Sequence, residues 1–222
     1  MEVTYIDHMG SDLSVVNAAR VSFGKKSAWE QRVHPSGDYA DDVLAERDTK
    51  LIKYLAKHKH KSPFNHTFVT FHVKAPIFVA RQLQKHEYMP WNEISRRYVD
   101  DEPEFYQPDV WRGRSEDKKQ GSEGEINDIR PSVARNMVED CRQNYNYLLA
   151  KGVSPEQARM VLPQSMMTEW YWSGTVFSFA KMCSLRCKDD TQAETRVVAD
   201  AIDEEMENLY PISWEALKEY EG

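Results

Sequence analysis

Between His58 and Tyr98 the chain gathers polar side chains for which an ordinary apolar core has no use: Gln82, Lys85, His86, Asn92, Glu93, Ser95, Arg96 and Arg97. Lysine and arginine bind phosphate, arginine through a planar fork whose charge persists at any working pH. Amides, a hydroxyl and a carboxylate can read the donors and acceptors of a small heterocycle. Together these residues point to a site for an anionic, ring-bearing small molecule that carries phosphate.

Arg159 and Arg186 offer two more forked cations further along. For either one alone, a surface ion pair is the competing reading. Arg186 follows directly on an apolar helical run, which favours a place at a cleft. His60, His66, His72 and His86 match no recurrent zinc spacing, so no metal site is expected. Cys183 and Cys187 stand one helical turn apart but have no second pair to complete a ligand set. With Cys141 they read as buried or partly buried thiols. The chain contains no P-loop, no G-x-G-x-x-G and no nucleophile elbow. Trp170, Tyr171, Trp172, Phe177 and Phe179 suit either stacking on a ligand ring or packing in a core.

The elements that must position these groups follow from periodicity and punctuation. Val3–Asp7 reads as a strand, and Gly10 interrupts it before a helix capped by Ser11 or Asp12 and running to Arg20. Residues 24–42 are polar and read as loop, and Leu51, Ile52 and Leu55 mark a helix over Asp48–Lys57. Thr67–Val73 alternates, with Thr67, Val69, Phe71 and Val73 on one face of a strand. Pro76 suits the first turn of a helix that would run to Tyr88, stopping before Pro90, with Gln82, Lys85 and His86 on one face. If Asn92–Tyr98 is extended, Glu93, Ser95 and Arg97 share a side.

The polar run 112–128 reads as a mobile surface loop, followed by a helix over Arg130–Lys151. Ser154-Pro155-Glu156-Gln157 forms a capping box for a helix carrying Arg159 and ending at Pro163. Thr168–Cys187 is aromatic-rich and then helical. Asp190 or Thr191 would cap a long helix to Leu209, and Ser213 a short final one.

At 222 residues and 41% hydrophobic content the chain suits one domain spanning 1–222, with a sizeable core. A net charge of −7 argues against general nucleic-acid binding. No apolar run reaches a membrane span and the start lacks a signal-peptide layout, so the expectation is a protein that binds no membrane and stays inside the cell.

The run Asn92-Glu93-Ile94-Ser95-Arg96-Arg97-Tyr98 resembles the signature tail Asn-Glu-x-Ser-x-Arg-Tyr of the flavin-dependent (alternative) thymidylate synthases, the ThyX family. In that signature Arg-His-Arg precedes the serine by seven residues. GSDLSVVNAARVSF, HKSPFNHTFVTFHVKAPIFVARQ, ARMVLP and SLRCKDDTQAE are similar, in order, to the family's N-terminal cofactor segment, its central strand–helix unit and its two C-terminal arginine segments. The head of the signature departs: Lys85-His86-Glu87 stands where the family has Arg-His-Arg, a variation similar to that of phage-type members. Asp190 replaces an expected histidine, and Thr175 and Lys181 replace asparagine-like cofactor positions.

The resemblance implies an α+β fold with a twisted mixed or antiparallel sheet flanked by helices. It implies conversion of dUMP to dTMP with 5,10-methylenetetrahydrofolate as carbon donor and FAD, reduced by NADPH, as hydride source. It further implies a cytoplasmic homotetramer (in a host's cytoplasm for a phage-encoded chain) with sites shared between subunits. Carried over residue by residue, dUMP would be held by Gln82, Lys85, Glu93, Ser95, Arg96, Arg97, Arg159 and Arg186. FAD would be held by Ser22, His60, Ser62, Asn65, Lys85, His86, Glu87, Asn92, Glu93 and Lys181. Arg186, Ser95 and Glu93 are the implied catalytic residues.

Overall fold

The computed structural model describes residues 1–34, 36, 40–99, 101–116 and 121–221. Its centre is an antiparallel four-stranded sheet in the order β1-β4-β8-β5, built from β1 (Glu2–Met9), β4 (Phe68–Pro76), β8 (Met167–Gly174) and β5 (Trp91–Glu93). The alternation legible in the sequence of β4 puts Val69, Phe71, Val73 and Ala75 on the buried face. Strand β8 lies in register with it, so that Phe71 faces Trp172 and Val73 faces Trp170. Phe71 and Trp172 both meet Phe179 edge-on, at ring-centroid distances of 5.2 and 5.4 Å. Truncating one such buried ring to alanine costs about 3–5 kcal/mol.

Helices close over that face. They are α1 (Asp12–Arg20), α2 (Glu46–Lys57), α3 (Ile77–Leu83), α6 (Val176–Arg186), α7 (Ala193–Leu209) and α8 (Pro211–Glu221). Helix α1 starts where Ser11 was expected to cap it, with the Ser11 N–H donating to Ser14 Oγ at 3.0 Å. Buried Asp12 ties α1 to α8 by accepting from the backbone N–H groups of Ile212 (3.0 Å) and Ser213 (2.8 Å). The opposite sheet face carries Thr70, His72, Lys74, Tyr171 and Ser173. It is polar and partly exposed, with Thr70 and Ser173 hydroxyls 2.9 Å apart and His72 3.1 Å from Glu169.

Several expectations are corrected. Within 24–42, read as loop, β2 (Glu30–Val33) pairs with β3 (Ala40–Val43); Pro35 and 37–39 lie outside the described residues. Within 112–128, also read as loop, β6 (Trp111–Arg114) pairs with β7 (Ser122–Ile126), and 117–120 lie outside the described residues. Both hairpins are largely polar, with almost no buried alternate face to reveal a period of two.

Helix α3 stops at Leu83, well short of Tyr88. Tyr88 has φ +59°, a left-handed conformation that no helix tolerates. The extended stretch after Asn92 ends at Glu93, and 96–98 form a turn. Helix α4 (Pro131–Ala150) matches its expectation. The segment after Ser154 is only a short α5 (Pro155–Ala158) continued by a 3-10 turn over Arg159–Val161. Gln192, not Asp190 or Thr191, is the N-cap of α7, and α8 begins at Pro211, ahead of Ser213.

Candidate active site

The early end of α3 has a functional consequence. It frees Lys85, His86, Glu87 and Tyr88 to form a turn beside α6, whose last residue Arg186 reaches His86, and the 3-10 segment Ser62–His66. These three pieces enclose a cavity of about 750 Å³. Lys61 and Asn65 line it from the 3-10 side, Lys85 to Tyr88 from the turn, and Thr175, Phe177, Ser178, Lys181, Leu185 and Arg186 from α6. Lys61, Lys85, Lys181 and Arg186 outweigh the lone carboxylate of Glu87 in this lining, so the cavity favours anions.

Helix α6 adds to that preference, because its N-terminal N–H groups carry partial positive charge. Its cap is Thr175, whose Oγ1 accepts from the Ser178 N–H at 3.2 Å and donates to Asn65 Oδ1 at 2.8 Å. The Lys61 ammonium sits 4.9 Å from the ring centroid of Phe177. Cations, a helix N-terminus and aromatic side chains in one cavity suit a ligand that joins phosphate to a flat ring.

Arg186 is held from two sides. Its Nε donates to His86 Nε2 at 3.3 Å and its Nη2 to the backbone oxygen of Gln82 at 3.3 Å. His86 must therefore be neutral, with its proton on Nδ1. Consistent with this, burial and then the charges of Arg186 and Lys181 lower its pKa to about 4. On the far side of Gln82, its Nε2 donates to Gln192 Oε1 at 2.6 Å.

The signature tail lies outside the cavity lining. Glu93 is fixed by Thr168 Oγ1, which donates to Oε1 at 2.7 Å, and by Trp91 Nε1, which donates to Oε2 at 3.1 Å. Arg97 donates from Nε to Ser95 Oγ at 3.1 Å, and its guanidinium carbon lies 4.9 Å from the Tyr98 ring centroid. Arg96 is engaged by Asp101, whose Oδ1 lies 2.9 Å from its Nη1. Asn92 is exposed on β5, opposite Tyr171.

Of the residues singled out in the sequence, the structure thus brings Asn65, Lys85, His86, Glu87, Lys181 and Arg186 into one cavity, with Gln82 adjoining. Ser22, His60, Ser62 and Arg159 are exposed outside the lining. His60 stacks on Tyr54 at 6.1 Å, and Arg159 donates from Nε to the Glu156 carbonyl at 3.3 Å. The sequence reading missed Lys61, Tyr88, Ser178 and Leu185. Lys61 had a signal: it closes the basic run His58-Lys59-His60-Lys61 just before Ser62-Pro63.

Trp170, Trp172 and Phe179 prove to be core, whereas Phe177 faces the cavity. Cys183 is buried and Cys187 partly so, as expected. Their sulfurs approach Asp203, a residue the sequence reading did not connect with them. Both Asp203 oxygens are already engaged, by Trp214 Nε1 at 3.0 Å and Lys218 Nζ at 2.7 Å. No helix among the described residues is long and apolar enough to cross a membrane.

Comparison with known proteins agrees with this α+β architecture. A flavin-dependent thymidylate synthase of Thermus thermophilus is 38% identical over 219 residues, covering 98% of this chain and 76% of the relative. One from Pseudothermotoga lettingae is 35% identical over 222 residues, covering 98% and 90%. Among solved structures, a UMP/dUMP methylase, PolB, from Streptomyces cacaoi bound with 5-Br dUMP superposes with a TM-score of 0.82. It is 31% identical and covers 99% of this chain and 95% of its own. The family model described as thymidylate synthase complementing protein matches residues 4–212, and the chain belongs to that family, the flavin-dependent thymidylate synthase family of enzymes.

Proposed function

We propose that the protein reductively methylates dUMP to dTMP, with 5,10-methylenetetrahydrofolate as carbon donor and FAD, reduced by NADPH, as hydride source. The observation that carries the reading is the cation-lined cavity that Lys61, Lys85, His86 and Lys181 share with both ends of α6, its N-terminus at Thr175 and its last residue Arg186. Bound there, FAD would supply the redox chemistry. Lys61, Lys85, Lys181 and the α6 N-terminus are the groups that would balance its phosphates. Asn65, His86, Phe177 and Tyr88 offer polar and flat contacts beside them.

The chain's own contribution is binding, orientation and placement of charge. Arg186, immobilised by His86 and Gln82, is the group we assign to stabilise negative charge that develops on the pyrimidine as C5 becomes nucleophilic. Loss of such a preorganised donor lowers turnover by about 10²–10³-fold. Arg97, Arg159, Ser95 and Gln82 are assigned to the nucleotide. Glu93, already fixed in orientation by Thr168 and Trp91, is assigned to the boundary between nucleotide and flavin.

We also read the enzyme as a homotetramer with shared sites. Val21 and Phe23, which flank Ser22, are 70% and 79% exposed, and Met160 beside Arg159 is 79% exposed. Apolar side chains left open next to implied ligand residues suit a subunit interface.

The test is anaerobic incubation of the FAD-loaded protein with NADPH, 5,10-methylenetetrahydrofolate and either dUMP or UMP, with nucleotide masses read afterwards. UMP is included because the superposing PolB is a methylase of both nucleotides. Added methyl mass on dUMP supports the proposal. Methylation of UMP in preference would shift the substrate, a hydroxymethyl product would change the reaction, and no product from either nucleotide would refute it.

A further inference from the structure

A chain of hydrogen bonds leads away from the candidate site and ends on a group that can only accept. Gln82 Nε2 donates to Gln192 Oε1 at 2.6 Å, and Gln192 Nε2 donates to Glu194 Oε2 at 3.1 Å. Glu194 is buried, and its other oxygen, Oε1, accepts from Arg112 Nη2 and from the Tyr106 hydroxyl at 3.4 Å. Arg112 belongs to the β6–β7 hairpin and is braced across it by Ser122 Oγ, 2.9 Å from Nε. Burial alone would raise the pKa of Glu194. Hydrogen bonds from its own backbone N–H, Arg112 and Gln192 prevail and hold it below the ordinary carboxylate range. It therefore stays ionised and has no proton to donate.

The direction of the chain follows. A side-chain amide has one accepting and one donating end and can be turned over at little steric cost. Facing an ionised carboxylate, Gln192 must present its NH2 group, so its carbonyl faces Gln82. Gln82 must then present its own NH2 group to Gln192. Its Oε1, which takes no hydrogen bond from the described residues, is left as the free accepting end. The backbone oxygen of the same residue is meanwhile held by Arg186.

We infer that Glu194, acting through Gln192, is a positioning residue that fixes which end of the Gln82 amide meets the nucleotide. This role rests on the proposed binding of dUMP next to Gln82. It also gives the β6–β7 hairpin a function, since Arg112 holds the carboxylate at the far end of the chain.

The experiment is a double-mutant cycle on the FAD-loaded enzyme, with the dUMP dissociation constant read by calorimetry for wild type, Glu194→Gln, Gln82→Ala and the double variant. Glutamine at 194 keeps the shape but can donate or accept, so the two amides beyond it lose their fixed polarity. Glu194→Gln is expected to weaken dUMP binding about tenfold in the wild-type background and less than twofold where Gln82 is already alanine, because groups in one network are not additive. Additive effects, or no effect of Glu194→Gln alone, would overturn the role, since a carboxylate that merely braces the hairpin acts equally in both backgrounds. Gln192→Leu leaves the Glu194–Arg112 pair intact and carries the same cycle if Glu194→Gln does not fold. Wild-type enzyme that fails to bind dUMP would remove the proposed function together with this inference, whereas bound dUMP with an additive cycle removes the inference alone.

Discussion

The guanidinium of Arg186 and the imidazole of His86 meet at 3.3 Å with the arginine donating, so the histidine beside a cation serves as an acceptor. Its pKa is lowered from 6.5 to about 4, by burial first and by the charges of Arg186 and Lys181 second. Between those values the unfolded chain binds more protons than the folded one, so stability rises with pH there. The contribution is complete above 6.5 and is lost as pH falls toward 4. In ligand-free protein, His86→Gln, which keeps an acceptor but does not titrate, should flatten the fall in melting temperature across this window. Parallel curves for the two proteins would show that His86 is not the group responsible.

Glu87 and Lys181 line the same cavity. If Lys181 offsets the anion that stands where the family has arginine, Glu87→Arg should leave FAD bound and tighten it by up to about fivefold, as expected for partly exposed charges. The gain should shrink as salt is added. Flavin fluorescence titrations at low and high ionic strength measure both effects, and outright loss of FAD would assign Glu87 a structural role of its own.

Arg97 is exposed, and among the described residues its side chain donates only to Ser95 Oγ and lies over the Tyr98 face, so its fork can meet a phosphate. If a bound phosphate buries this contact, Arg97→Ala should weaken dUMP binding by about 2–4 kcal/mol, the cost of removing one partner from a buried, charged hydrogen-bonded pair. An unchanged dissociation constant in calorimetry would remove Arg97 from the nucleotide site.

Asp12 joins the start of the chain to α8 through two backbone N–H groups that have no other partner among the described residues. Asp12→Ala leaves the buried Ser213 N–H and the part-buried Ile212 N–H without that acceptor and should destabilise the fold by about 2–3 kcal/mol. Urea denaturation would read this as a lower midpoint at unchanged slope. A loss under 0.5 kcal/mol, the ordinary size of a surface substitution, would mean that water replaces the carboxylate.

The sequence was informative where burial wrote a period into it. Strand β4 alternates because one face packs on Phe179 and its neighbours, and α2 shows Ile52 and Leu55 at helical spacing for the same reason. Where no face is buried the period vanishes. The β2–β3 hairpin, Glu30–Val33 with Ala40–Val43, is largely exposed, so its sequence carries the pattern of a loop. The helix expected to reach Tyr88 ends at Leu83, and Gln84–Glu87 contains no glycine or proline that would mark that end in the sequence. The turn that brings Lys85 and His86 to α6 therefore has no local signal in the sequence. Glu194 sits among ordinary surface-type charges in the sequence and acquires a role only through Gln82 and Arg112, distant along the chain, whereas Lys61 is marked by the basic run that it closes.

The two edges of the main sheet also bear on how the protein behaves at high concentration. Strand β5 is only three residues long, and β1 is thrown out of register between Tyr5 and Asp7. A short edge gives an incoming strand too few backbone groups to pair with, and a bulged one twists them out of line. Copies of this chain are thereby kept from adding strand upon strand into open-ended fibrils. They are left to meet through side chains, where an assembly can close.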